Sequence, residues 1–397
     1  PCHPMTTIAT PLSASRSERA PAAGRTERAQ LLAVQVLRAF AALAVVVFHA
    51  EYDAEVIAAR AGLVLEHSEL LPWMAGVDVF FVISGFIMVY TSEELFGVSG
   101  AAGFFLTRRL IRIVPLYWTA TLLFLVSLVL LPSALNKAAP NLWQIVASFL
   151  FIPVERSDGL IRPVFSLGWT LNYEMFFYGL FAAALLLRRA AAVATVTAAL
   201  VLLVVVGETL HRLGIQPPTI LEFWSDPIVL EFAFGMGLAL LRADGIRLTL
   251  PARAAFAAGG VLLLHLDLAR PDGWLVLPPL VAYGVPAALL VAAAALGHQA
   301  QNGPRTERLM AALGDASYAL YLVHPFVLRP LRLAVVAAGF AGIGAAWGYV
   351  ALALVASVAV ALVVHRRFER PLMRVLRRWT GRAAAMRISA APGPSPH

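Results

Sequence analysis

The chain holds one cysteine, Cys2, in 397 residues. One thiol excludes a disulfide framework and any zinc or iron–sulfur centre built on cysteines. Charge is scarce too: Asp, Glu, Lys and Arg make up 14% of the sequence, against roughly 25% in soluble domains. That leaves too little polar surface for an ordinary soluble enzyme, a disordered chain or a nucleic-acid binder, which carries its charge on a hydrated face. Acidic residues are outnumbered by basic ones, 23 to 31, for a net charge of +8. Hydrocarbon fills the space: 60% of residues are hydrophobic and the mean hydropathy is +0.78. The composition defines an all-α polytopic membrane protein, in which the basic excess is a topology signal.

A crossing helix needs about 20 mostly apolar residues. Ten segments qualify: 30–50, 74–92, 113–132, 167–187, 190–207, 225–241, 253–268, 275–297, 314–333 and 344–364. An eleventh stretch, 141–153, is too short to cross comfortably and reads as re-entrant or interfacial. With ten spans and both termini cytoplasmic, 22 Lys and Arg fall inside and eight outside. Counting 141–153 as a crossing would turn several basic loops outward, against the positive-inside rule. Residues 1–29 read as a disordered cytoplasmic tail and 30–375 as the membrane domain. Residues 376–397 read as a basic, partly disordered tail. Just before that tail, 365–379 alternate bases with apolar residues, as a membrane-surface helix would.

Ionisable groups inside hydrocarbon are costly and mark function by default. Span one, LLAVQVLRAFAALAVVVFHA, carries Arg38 and His49. Eleven residues bring them about 20° past three full turns, so both lie on one face, about 16 Å apart along the axis. The plainer reading of Arg38 is an ion pair with a buried carboxylate. Asp78, in GVDVFFVISGFIM, sits at about the depth of His49 and is placed to orient that imidazole, or simply to cap its helix. Arg108, Arg109 and Arg112, in FFLTRRLIRIVPLYW, fringe a helical turn at the cytoplasmic start of span three. Such a cluster suits a phosphate-bearing ligand, or anionic lipid. Glu174, in WTLNYEMFFY, reads as a partner for Arg38 or for a hydroxylated substrate. In GDASYALYLVHPF, Ser317, Tyr321 and His324 share one side of the span at 314–333. Tyr321 and His324 join Glu174 as candidate substrate-binding groups.

These blocks, in this order, resemble the membrane acyltransferase-3 family, O-acyltransferases that decorate exopolysaccharide and lipopolysaccharide sugars. The resemblance covers roughly residues 30–375. The family's Arg-x10-His pattern falls on Arg38 and His49, and its Arg-Arg-x-x-Arg pattern on Arg108, Arg109 and Arg112. The resemblance implies a cytoplasmic acyl-CoA donor, usually acetyl-CoA, with no metal, and a catalytic role for His49. It also implies a sugar or polysaccharide acceptor, a lipid setting and a bacterial inner membrane, with homo-oligomerisation left open.

The mechanism expected has the three arginines and Arg38 binding the donor while His49, oriented by Asp78, deprotonates an acceptor hydroxyl. A covalent acyl-histidine is the variant. Two other readings stand beside it. A proton-coupled transporter or exporter of sugars or small molecules would also use intramembrane Arg, His, Asp and Glu. An acyltransferase of small, macrolide-like acceptors keeps the chemistry and changes the substrate.

Overall fold

The computed structural model describes residues 31–130, 139–270, 275–297 and 304–389; the expected tail 1–29 and the last residues, 390–397, lie outside the described residues. Fourteen α-helices are described: α1 Leu32–Ala59, α2 Gly76–Thr91, α3 Ala101–Leu130, α4 Leu142–Phe149, α5 Trp169–Ala184, α6 Arg189–Arg212, α7 Thr219–Trp224, α8 Leu230–Ala243, α9 Leu250–His265, α10 Val285–Ala295, α11 Arg305–Asp315, α12 Ser317–Ala337, α13 Ile343–Val364 and α14 Arg370–Ser389. Among the described residues the only strand-like pairing is the isolated bridge Glu155–Ile161.

Six helical segments are long and apolar enough to cross a bilayer: Leu32–Ala59, Trp73–Thr91, Ala101–Leu130, Arg189–Arg212, Ser317–Ala337 and Ile343–Thr380. The other four expected spans form shorter helices. α5 and α9 have 16 residues and α8 has 14. A five-residue π-helical turn, Leu280–Gly284, leads into the 11 residues of α10. Hydropathy overestimates their length because apolar loop residues such as Leu266, Leu268 and Leu275 extend each run past the helix end. Pro227 opens the 3-10 turn Pro227–Val229 that leads into α8, and Pro251 sits in the first turn of α9, where a missing N–H costs nothing. The stretch 141–153 contains α4, eight residues opened by a reciprocal Asn141–Gln144 capping box. At about 12 Å it is less than half the hydrocarbon thickness.

α1 is the hub of the bundle, packing on α2, α10, α11, α12 and α13. Half of its buried positions are alanine: Ala39, Ala41, Ala42, Ala50, Ala54 and Ala58. Small residues let helix backbones approach where no hydrophobic driving force separates helix from lipid. α2 and α8 use the same device most fully. A Cβ on Gly235 would lie 1.9 Å from the Val82 carbonyl oxygen, and one on Gly85 would lie 2.0 Å from that of Phe232. Outward faces carry Leu122, Val126 and Val129 on α3, Leu202 on α6, and Leu352 and Val355 on α13, all exposed. Such apolar surface fits lipid contact.

α3 reaches from Ala101, twelve residues before the span expected from hydropathy. Arg108, Arg109 and Arg112 therefore stand on a rigid helix and not in a loop. α14 extends the basic C-terminal stretch as helix to Ser389.

Candidate functional site

α1 and α12 meet along their polar faces. At one end the Arg38 guanidinium donates to Ser317 Oγ at 3.0 Å and to Gln35 Oε1 at 3.4 Å. At the other end the His49 and His324 rings lie 5.0 Å apart, tilted by 52°. The face of α12 that carries Ser317, Tyr321 and His324 thus runs beside the face of α1 that carries Arg38 and His49. Among the described residues Arg38 has no ion pair. Asp315, Glu174 and Glu369 act on it only at longer range, as does Arg112. The expected ion pair with Glu174 is not formed.

Each imidazole is fixed by its own helix. His49 Nδ1 is 2.8 Å from the Val45 carbonyl, and His324 Nδ1 is 3.1 Å from the Leu320 carbonyl. A carbonyl oxygen only accepts, so both Nδ1 atoms carry the hydrogen. In the neutral rings both Nε2 atoms are then lone-pair acceptors. His324 is fully buried, and its Nε2 has no hydrogen-bond partner. His49 is half-buried, with its ring edge against Phe48.

The expected contact between Asp78 and His49 is absent: Asp78 faces Glu231 across the seam between α2 and α8. α2 starts beside Ala41 and Val45 of α1, where a Cβ on Gly76 would lie 2.4 Å from the Ala41 carbonyl oxygen, so Asp78 does not share the depth of His49 that its place in the span suggested. Glu231 is fully buried and was open to the same test that singled out Arg38, an ionisable residue within an expected span. Sequence reasoning passed over it.

Below the histidines a polar stripe descends α5 at intervals of four residues. Thr170 Oγ1 lies 3.0 Å from the Tyr321 hydroxyl, which donates to the Leu167 carbonyl at 2.9 Å. One turn on, Glu174 accepts from Ser84 at 3.1 Å and from the Tyr178 hydroxyl. The Tyr178 ring is 6.0 Å from the Arg109 guanidinium, which also packs on Phe105 at 5.3 Å. Arg109 donates to Thr91 at 2.7 Å. The stripe therefore links the histidine pair to the arginine cluster over about 12 Å of α5.

The three arginines do not act as one fringe. Arg109 and Arg112 follow Phe105 on the inward face, and Arg112 lines a small groove with Pro115, Phe368 and Glu369. Arg108 is exposed and lies over Phe104, 5.4 Å from its ring. Helical spacing accounts for the split: 105, 109 and 112 share a face, whereas 104 and 108 form the neighbouring one.

Apolar helices long enough to cross a membrane thus bring together two facing imidazoles, a guanidinium without an ion pair among the described residues and a cluster of arginines. The family model described as "Acyltransferase domain" matches residues 31–366, and the chain belongs to that acyltransferase-3 family. It is similar to the exopolysaccharide production protein ExoZ of Rhizobium meliloti, 34% identical over 325 residues, covering 80% of this chain and 92% of that protein. It is also similar to the acyltransferase MdmB of Streptomyces mycarofaciens, 29% identical over 373 residues, covering 86% and 91% respectively. No solved structure gives a significant match. The protein is an integral-membrane O-acyltransferase.

Proposed function

We propose that the protein moves an acyl group, acetyl in the simplest case, from cytoplasmic acyl-CoA to a hydroxyl of a sugar or polysaccharide. His49 is the general base. The observation that carries this reading is the fixed Nδ1–H of His49, held by the Val45 carbonyl, which leaves Nε2 as the proton acceptor. Arg109 and Arg112 bind the donor's phosphates at the inner rim, with Arg108 adding charge from the outer side of α3. Arg38, a guanidinium without a carboxylate partner, meets the donor further in. His49 takes the hydroxyl proton, the oxygen attacks the thioester carbonyl, and coenzyme A leaves as the thiol after taking that proton. Proton transfer of this kind contributes typically ~10²–10⁴-fold.

His324 takes the orienting role that sequence reasoning gave to Asp78. Its neutral ring walls one side of His49 and limits how that imidazole turns. Tyr321 and Glu174, in the stripe beneath, help line the route from rim to base. The basic distribution supports ten passages with both termini cytoplasmic, the shorter helices α5, α8, α9 and α10 completing the bundle, and the family resemblance supports a bacterial inner membrane. The printed name of the ExoZ relative supports an exopolysaccharide acceptor, and that of MdmB an acyl-transfer step.

Mass spectrometry of surface glycans from cells with and without the protein tests the proposal. A loss of one acyl mass on a sugar is expected. Unchanged glycans, together with altered export of a solute, would favour a carrier instead.

A further inference from the structure

α1 runs for 28 residues, about 42 Å, and so outreaches a hydrocarbon core of about 30 Å. The excess carries residues near its C-terminal end past His49 and out of the apolar layer. A polar corner is built there that the transfer chemistry does not use. His67, in the loop after α1, lies 2.5 Å by its Nε2 from the Glu55 carboxylate and 3.8 Å by its Nδ1 from Glu51. Glu51 is buried, with 2% exposure, so His67 fastens the loop to the helix. The edge of the same His67 ring packs on Tyr52, with centroids 4.8 Å apart. Phe48 supports Tyr52 from the turn below, also at 4.8 Å, and touches the His49 ring. Tyr52 nevertheless stays 53% exposed, an uncommon state for a tyrosine braced on two sides. Its hydroxyl has no hydrogen-bond partner among the described residues.

We propose that Tyr52, Glu55 and His67 form the acceptor subsite and receive a neutral pyranose ring of the glycan. This rests on the acyltransferase reading above. A half-exposed aromatic ring offers an apolar face to the C–H face of a sugar. A carboxylate already aligned by a histidine offers acceptor lone pairs to vicinal hydroxyls. Tyr52 follows His49 by three residues, so a ring seated on it holds a neighbouring hydroxyl about one helical turn from the base. The half-exposed carboxylate of Glu55 favours a neutral sugar over an acidic one, since like charge is repelled.

The test uses the full-length protein in lipid nanodiscs, radiolabelled acetyl-CoA as donor and base-deacylated oligosaccharides from the host's own exopolysaccharide as acceptor. Tyr52→Ala should raise the acceptor KM about tenfold, equivalent to about 1.4 kcal/mol. The KM for acetyl-CoA should stay as in the wild type. Tyr52→Trp, which keeps an aromatic face, should restore the acceptor KM, and Glu55→Gln should raise it. An acceptor KM unchanged in both Tyr52→Ala and Glu55→Gln overturns the subsite. A parallel loss of acetyl-CoA affinity in Tyr52→Ala would also overturn it, by showing Tyr52 to be a packing residue. Wild-type protein that binds acetyl-CoA but acylates no oligosaccharide would instead refute the glycan-acyltransferase reading itself.

Discussion

The imidazoles of His49 and His324 face each other at 5.0 Å from two different helices, each held through Nδ1 by the carbonyl four residues earlier in its own helix. Two bases are thereby fixed in the same tautomer without any carboxylate. The usual device, an acid behind the histidine, is replaced here by backbone geometry. In the mechanism proposed above, His324 positions His49 and does not itself accept the proton.

His324→Gln, which keeps a planar polar group of similar reach, should lower kcat by about tenfold, less than loss of the base itself would. The KM for acetyl-CoA should move little. Rate measurements in nanodiscs check both parameters, and a fall in donor affinity alone would place His324 on the donor path instead.

Arg38 and Ser317 tie the other end of the same helix pair. Ser317 is fully buried, so Ser317→Ala removes a charge-assisted hydrogen bond and should cost about 1 to 3 kcal/mol of stability. Arg38→Lys keeps the charge but loses the planar fork. It should reduce acyl transfer more than it reduces the melting temperature in detergent. Equal losses in both would make Arg38 a structural residue.

Arg109 and Arg108 are adjacent in sequence and unlike in setting. Arg109→Ala should raise the KM for acetyl-CoA about tenfold, the effect of losing one charge-assisted contact. Arg108→Ala should change it less than about twofold, because exposed charges interact weakly across water. Titration of the two variants with acetyl-CoA distinguishes them, and matching effects would contradict the split between the two faces of α3.

The seam between α2 and α8 makes a prediction about stability alone. Gly235→Ala places a methyl group 1.9 Å from the Val82 oxygen, so the helices must separate. Overpacking of this kind costs about 1 to 3 kcal/mol. Thermal unfolding in detergent should show the loss. Gly237→Ala, on the same helix with nothing within 4 Å, is the control and should be neutral.

Much of this arrangement is legible in the sequence, and the limits are physical. The register of Arg38 and His49 follows from helical period alone, and the depth of His324 from its place in an apolar run. Which residue on another helix each would meet does not follow, because depth fixes height and leaves azimuth open. Asp78, on an α2 that starts beside Ala41, turns to Glu231, while His324 turns to His49. The arginine triplet was visible as a motif, but its division into an inward pair and an outward member needed the full extent of α3 back to Ala101. Span lengths were overestimated wherever apolar loop residues adjoin a helix end, as at Leu266 and Leu275.

The role of His49 as base is tested most directly by the rate of acyl transfer from labelled acetyl-CoA to deacylated oligosaccharide in His49→Ala, alongside acetyl-CoA binding to the same preparation. The expected result is transfer reduced by about 10²-fold or more with binding retained. Transfer at the wild-type rate in that variant would contradict it.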